Sequence, residues 1–271
     1  MRVLVTNDDG IDAVGIRVLA DGLVSRGFDV VVAAPGTDSS GASAALTARE
    51  EAGRVVIARH TLPGLPAVPA FAIAGSPAYI ALLGLRGAFG PPPSLVFSGI
   101  NRGANAGRAV LHSGTVGAAL TASAAGCRAM AVSLDIISAS TVTTASGGAA
   151  AVLSAEEEAG RQWSTAAGVA VDLVDALLSA PPGVVLNVNA PDVPPGRLKG
   201  VRRAGLATFG QVQMTVVESG EGYVRTAMRE ERRELAPGTD LAVLAEGYAS
   251  VTPLRALGEL SDVDLPGIPD A

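Results

Sequence analysis

The chain of 271 residues is 48% hydrophobic and 17% charged, a balance that fits a folded globule with a full core and excludes disorder. Its formal net charge of −6, with no Lys/Arg block, argues against a nucleic-acid or acidic-membrane partner, so an anionic ligand needs local help from a cation, arginines or helix N-termini. Lys199 is the only lysine, Cys127 the only cysteine, and His60 and His112 the only histidines, which excludes a GK[ST] P-loop, an intrachain disulfide and a His/Cys zinc site.

The chain opens with MRVLVTNDDG, where Arg2 to Thr6 predict a short buried strand. Gly15 to Arg26 carry the periodicity of an amphipathic helix ending at Gly27, and Phe28 to Ala34 read as a second strand stopped by Pro35. This β-α-β start predicts an α/β sheet. PGTDSSGAS is loop chemistry; after a less readable stretch, GSPAYIALLGL predicts a helix with Ser76 as N-cap and Pro77 at its first position.

Ser94 to Phe97 predict a strand that runs into SGINRGANAGRAVLHSGTVGAAL, where Gly and Asn mark a long loop and a helix begins near Thr115. RAMAVSL is the next expected strand. The nearly uncharged run Gly114 to Leu134 is rich in small residues and holds Arg128, so a buried helix followed by a strand fits it better than a membrane span. Residues 138–160, rich in Ala, Ser and Gly with one acidic cluster, are expected to form a flexible excursion. STAAGVAVDLVDALLSA predicts a helix, GVVLNVNAP a strand, and the alternation around SGEG a hairpin between Gln211 and Arg233. No internal repeat is present. The N-terminus begins directly with a strand and shows no signal-peptide pattern, which sets a cytoplasmic location as the expectation.

In open α/β sheets, ligands bind outside the carboxyl ends of the strands. Asp8 and Asp9 follow strand one, Ser39 and Ser40 follow strand two, and Asn101 follows the strand at 94–97; parallel pairing would bring them to one crevice. Adjacent carboxylates repel unless a cation or a proton offsets them. With hydroxyl and amide oxygens they make a hard donor set suited to Mg²⁺, Mn²⁺ or Ca²⁺, and Gly10 provides the turn. The competing reading is that the aspartates cap the following turn and helix. SGTVGAA, Ser113 to Ala119, is a Gly-punctuated helix start; alone it reads as a well-capped packing helix, and beside a metal it reads as a phosphate site. Metal plus anion pocket points to phosphoester hydrolysis by an activated water, with one aspartate taking its proton. A dinucleotide fold lacks its G-x-G-x-x-G, a receiver domain lacks its strand-end lysine, and aspartyl-nucleophile phosphatases favour D-x-D over this contiguous pair.

VLVTNDDGI, SSGAS, SGINRGAN, SGTVGAA, LNVNAP and GTDLAVLAEGYASVTPL, in that order from residue 3 to about 254, resemble the SurE family of nucleotidases. The resemblance implies an α/β fold: a Rossmann-like three-layer sandwich with a mostly parallel sheet, a protruding β-hairpin and a C-terminal swap segment. It divides the chain into a catalytic core, 1–200, and a hairpin and oligomerisation segment, 201–271. It implies a divalent-metal-dependent phosphomonoesterase acting on nucleoside 5′- and 3′-monophosphates, in a homodimer or dimer of dimers with no nucleic-acid or membrane partner. The alternatives are a specialised phosphatase for another phosphorylated metabolite and a catalytically silent phosphate- or nucleotide-binding protein.

Carried over by motif, the metal ligands are Asp8, Asp9, Ser40 and Asn101, and the two aspartates are also the catalytic pair. Asn7, Gly41, Ser43, Asn105, His112, Ser113, Gly114 and Thr115 fall on the phosphate side. The chain departs from the family pattern at Ala44, Tyr79, Arg108, Ala109, His112, Thr121 and Ala122, where the family commonly has Asn, Asp, acidic residues, Tyr and Glu-Gly. The ligand positions match while their surroundings differ, so substrate range is where divergence is expected. His112 reads either as a phosphate or proton-transfer group or as a packed or hydrogen-bonded replacement for tyrosine. Arg102 and Arg108 read as substrate contacts or solvated arginines, Trp163 as a core or interface anchor, and His60 as ordinary surface.

Overall fold

A computed structural model describes residues 1–136, 154–208, 212–230 and 235–257. The first half contains β1 (Arg2–Thr6), α1 (Val14–Ser25), β2 (Asp29–Pro35), β3 (Glu50–Glu51), β4 (Arg54–Val55), β5 (Ile57–His60), β6 (Ala70–Ile73), α2 (Pro77–Leu85), β7 (Leu95–Arg102), α3 (Gly114–Ala124) and β8 (Arg128–Asp135). The second half contains α4 (Ala155–Ala159), α5 (Trp163–Asp172), α6 (Val174–Ser179), β9 (Val184–Pro191), β10 (Val201–Arg203), β11 (Val212–Gly220), β12 (Tyr223–Glu230), α7 (Asp240–Ala245) and β13 (Ala249–Arg255).

Nine strands form one sheet in the order β10-β13-β9-β8-β7-β1-β2-β6-β5. From β9 to β6 every neighbouring pair is parallel; β13 and β5 join the two sides antiparallel. Because β1 is flanked by β2 on one side and β7 on the other, the chain reverses its direction of build-up there, which opens a crevice at the carboxyl ends of β1 and β7.

The central strands read as continuous apolar runs because both faces are covered. Val3, Val5, Val30, Val32, Phe97 and Met130 pack on one face with Ile16, Leu19 and Leu23 of α1, Ala166 and Ala170 of α5 and Leu177 of α6. Leu4, Val31, Val96, Ala129 and Ala131 pack on the other with Ile80 and Ala81 of α2 and Val116, Ala119 and Ala122 of α3. The result is the expected three-layer sandwich.

The differences from expectation are local. β7 runs on to Arg102 through a register irregularity between Ser98 and Asn101, so Asn101 stands in the strand. The helix expected after Ser164 is two helices, α5 and α6, broken at Leu173. Ser76 does occupy the N-cap position of α2, yet its hydroxyl makes no cap bond; it donates to the carbonyl of Ala45 instead. Of the expected excursion at 138–160, residues 138–153 lie outside the described residues; Ala155–Ala159 form a short helix with a Ser154–Glu157 capping box. The hairpin β11–β12 makes a two-stranded sheet of its own, with Val216, Tyr223 and Val224 exposed. Of the hairpin and C-terminal segment expected over 201–271, residues 209–211, 231–234 and 258–271 lie outside the described residues, and β10 and β13 are strands of the main sheet. No helix among the described residues is long and apolar enough to cross a membrane.

Candidate active site

The turn after β1 is built by Asn7. Its amide nitrogen donates to the carbonyl of Gly10 at 2.9 Å and its Oδ1 accepts the Gly10 N–H at 3.2 Å, closing a tight loop around the two aspartates. Gly10, with φ +100°, takes a conformation that side-chain-bearing residues rarely adopt. The Asn7 amide is therefore spent on shaping the turn.

Asp8 and Asp9 are nearly buried, at 3% and 7% exposure, and each carboxylate is held by a different element. Asp8 lies on the N-terminus of α3: it accepts the Thr115 N–H at 3.2 Å and the Thr115 hydroxyl at 2.5 Å. A Cβ on Gly114 would stand 2.7 Å from Asp8 Oδ2, so only glycine lets the carboxylate approach this closely. Ser113 caps the same helix by accepting the Val116 N–H at 3.0 Å. Asp9 turns the other way, accepting the Arg102 N–H at 3.1 Å and facing Arg102 Nε at 3.2 Å. Arg102 also stands 3.7 Å from Glu158 of α4, so it is a paired, partly buried arginine and not a freely solvated one.

Burial pushes the Asp8 carboxyl above its ordinary range, and the Thr115 donors oppose this. Burial, and then the Asp8 charge, push Asp9 up to about 8 against the pull of Arg102. Asp38 adds a third negative charge that raises both. One guanidinium does not balance this group, and the donor set fits a divalent cation: two carboxylates plus neutral oxygens. Among the described residues no three His, Cys, Asp or Glu side chains cluster as a metal site, so amide and hydroxyl oxygens must complete any coordination.

Asn101 offers an amide oxygen, since its amide nitrogen donates to Gly103 at 2.7 Å and Oδ1 keeps acceptor capacity. Ser40 offers a hydroxyl, on a loop tied to the turn: the Ser39 N–H donates to the Asp8 carbonyl at 2.7 Å, and the Ser40 N–H to Asp38 at 2.8 Å. Gly41 and Ser43 both take positive φ in this loop, and the Ser43 hydroxyl donates to the Leu111 carbonyl at 2.7 Å, locking the loop to the turn before α3. The expected convergence of the β1, β2 and β7 ends therefore holds.

The other flank joins Asn105, expected on the phosphate side, to residues the sequence did not single out. Asn105 donates its N–H to Asn189 Oδ1 at 2.8 Å and its side-chain amide to Ser133 at 2.9 Å, while its carbonyl accepts from Asn187 at 2.8 Å and Asn189 at 3.0 Å. Asp240, fully buried at the start of α7, accepts the N–H groups of Gly107 at 2.7 Å, Ala207 at 3.0 Å and Leu241 at 2.9 Å. Burial raises its carboxyl and those three donors hold it down. It thereby fixes the 3₁₀ turn Gly107–His112 that leads into Ser113. LNVNAP and GTDLAVLAEGY mark these positions in the sequence, but nothing in them shows what the side chains reach.

Arg108, Ala109 and His112 are exposed on that 3₁₀ turn, so His112 is not a packed substitute for tyrosine. Trp163 is buried and donates to the Glu158 carbonyl at 2.8 Å, a core anchor beside the site. His60 pairs with Asp12 at 3.1 Å.

The profile of the survival protein SurE family matches residues 3–214. The chain is 34% identical to a 5′-nucleotidase SurE of Xylella fastidiosa (strain M12) over 260 residues, covering 94% of this chain and 90% of the relative. It is 35% identical to a 5′-nucleotidase SurE of Stenotrophomonas maltophilia (strain K279a) over 262 residues, with coverage of 94% and 90%. The crystal structure of the SurE protein from Aquifex aeolicus superposes with a TM-score of 0.71 at 29% identity, covering 94% of this chain and 93% of that one.

Proposed function

The chain belongs to the survival protein SurE family, and on that premise we propose that it is a divalent-metal-dependent phosphomonoesterase acting on nucleoside monophosphates. The observation that carries the reading is the buried Asp8–Asp9 pair, fixed from opposite sides by Thr115 and Arg102 and left short of positive charge. The printed names of the relatives supply the substrate class.

Asp8, Asp9, Asn101 and Ser40 would hold the cation, which by the hardness of these donors is Mg²⁺ or Mn²⁺, with Ca²⁺ also compatible. The bound cation supplies positive charge for the carboxylates and for the phosphoryl oxygens. Asp8 is committed to Thr115 and serves as a rigid ligand. Asp9, held by Arg102 and free of a hydroxyl donor like that on Asp8, is the member of the pair assigned to take the water's proton. In the reaction the water oxygen bonds to phosphorus as the ester P–O bond breaks. The water proton passes to Asp9, and the leaving oxygen takes a proton from solvent. Asn105, clamped by Asn187, Asn189 and Ser133, and the N–H of Gly114 stand on the phosphate side. The exposed apolar residues of the hairpin support its use against a partner subunit, in a homodimer or dimer of dimers.

The reading is tested by phosphate release from nucleoside 5′- and 3′-monophosphates, sugar phosphates and an aryl phosphate with Mg²⁺, Mn²⁺ or EDTA. Metal-dependent release that ranks nucleotides first is the expected result. A folded protein that releases nothing under any condition is instead a silent binder. Light scattering after gel filtration tests assembly; a monomer at high concentration removes the subunit reading.

A further inference from the structure

Next to the carboxylate pair, on the β2–β6 side, lies a cleft of about 710 Å³, within the size range of small-molecule sites. One wall is the loop after β2, including Ser39 and Ser40. That wall is continuous with the carboxylate turn, because Ile11 N–H donates to the Pro35 carbonyl at 2.9 Å and Ser39 N–H to the Asp8 carbonyl at 2.7 Å. The opposite wall is a short antiparallel pairing of residues 47–49 with 74–76, in which Arg49 N–H donates to Ala74 and Ser76 N–H to Thr47, both at 2.8 Å. Ser76, at 5% exposure, ties this wall together: its hydroxyl donates to the Ala45 carbonyl and accepts the Thr47 N–H at 3.1 Å. This is why Ser76 gives up its cap bond to α2. Backbone hydrogen bonds and the buried Ser76 thus hold the walls in place.

Val56, which is exposed, and the buried Ile73 supply apolar lining, and the serines, threonines and Arg49 supply polar lining. Among the described residues the Arg49 guanidinium pairs with Glu51, at 3.6 Å and exposed, an interaction weak enough for a ligand to displace. Among the described residues no aromatic side chain lines the cleft.

We propose that this cleft is the leaving-group subsite, taking a nucleoside-sized group whose ester oxygen lies at Ser39–Ser40, with Arg49 and Val56 as specificity-determining residues. The assignment rests on the phosphomonoesterase reading above. Recognition is by fit and by one guanidinium rather than by stacking on an aromatic face, so purine and pyrimidine nucleotides are turned over with similar efficiency.

The test compares kcat/KM for a nucleoside 5′-monophosphate and for glycerol phosphate, too small to fill the cleft, in the wild type, Val56→Trp and Arg49→Ala. Val56→Trp is expected to lower the nucleotide value by about tenfold or more, the scale of a filled pocket, with glycerol phosphate within about twofold. Arg49→Ala shifts the same ratio in the same direction by a smaller factor. An unchanged ratio in both variants overturns the subsite, as does an equal loss on both substrates in variants whose melting temperature is unchanged. Where Val56→Trp fails to fold, Arg49→Ala decides alone. Should the wild type hydrolyse neither ester, the phosphomonoesterase reading fails by itself. The cleft is then judged by calorimetric titration with a free nucleoside: binding weakened by Arg49→Ala upholds it, and no binding to the wild type overturns it.

Discussion

The two flanks of the crevice share one sheet edge and solve opposite electrostatic problems. On the β1 flank, Asp8 and Asp9 are buried together with one guanidinium, on the far side of Asp9, and their carboxyls are raised accordingly. On the β9 flank, Asn105, Asn187, Asn189 and Ser133 bind one another through neutral hydrogen bonds, and Asp240 is met by three N–H donors. The first flank stores an unmet demand for charge; the second meets nearly all of its polar groups and acts as scaffold. Function should therefore be most sensitive on the β1 flank, and stability on the β9 flank.

The largest test of that contrast is Asp8→Asn. The amide oxygen can take the Thr115 N–H while the amide nitrogen donates to the Thr115 hydroxyl, so the fold survives. Activity is expected to fall by about 10³-fold, the scale of losing a principal electrostatic group. A variant that kept activity and metal dependence would remove the β1 flank from catalysis.

The pH dependence sharpens it next. Without metal, the folded protein holds a proton on Asp9 up to about pH 8, whereas the unfolded chain releases it near 3.8. Between those values the folded state binds more protons, so stability is greatest at the acid end and falls as pH rises. The slope from this group is at most about 1.4 kcal/mol per pH unit. Melting curves in EDTA across that window should show the decline, and Asp9→Asn or saturating Mg²⁺ should flatten it.

On the scaffold side, Asp240→Ala leaves the Gly107, Ala207 and Leu241 N–H groups without their acceptor and is expected to cost roughly 3 kcal/mol in urea unfolding. A neutral result would show that the 3₁₀ turn is held by something else. Arg102→Met should act the other way on the β1 flank. It removes a positive charge 3.2 Å from a proposed ligand, so divalent-cation affinity measured by calorimetry rises by about tenfold. The smallest effect is expected at exposed His112, where His112→Gln changes kcat/KM by roughly twofold or less, as for surface positions generally.

The contrast also explains what could be read in advance. The β1 flank was legible because its signal is local: a buried strand, two carboxylates and a glycine are consecutive, and the repulsion between Asp8 and Asp9 needs no tertiary information. The β9 flank was not, because Asn105 meets Asn189 across 84 residues and Gly107 meets Asp240 across 133. Arg102 sat in a quoted motif, yet its role depended on β7 continuing as a strand alongside β1. Ser76 shows the limit from the other side: its N-cap position was readable, but a distant loop claimed its hydroxyl.

By itself the sequence determined the central elements β1, α1, β2, α2, β7, α3, β8 and β9, the apolar faces that force a covered parallel sheet, and the placing of two carboxylates where the first strand ends. Those are properties of neighbouring residues, set by backbone preference, side-chain period and local charge. Only the tertiary structure decided that Thr115 and Arg102 would divide the aspartates between them, that Asp240 would fix the turn before α3, and that a cleft would open beside Ser39. Each of these depends on which strands become neighbours and in what register, and burial then turns those contacts into shifted charges and fixed donors.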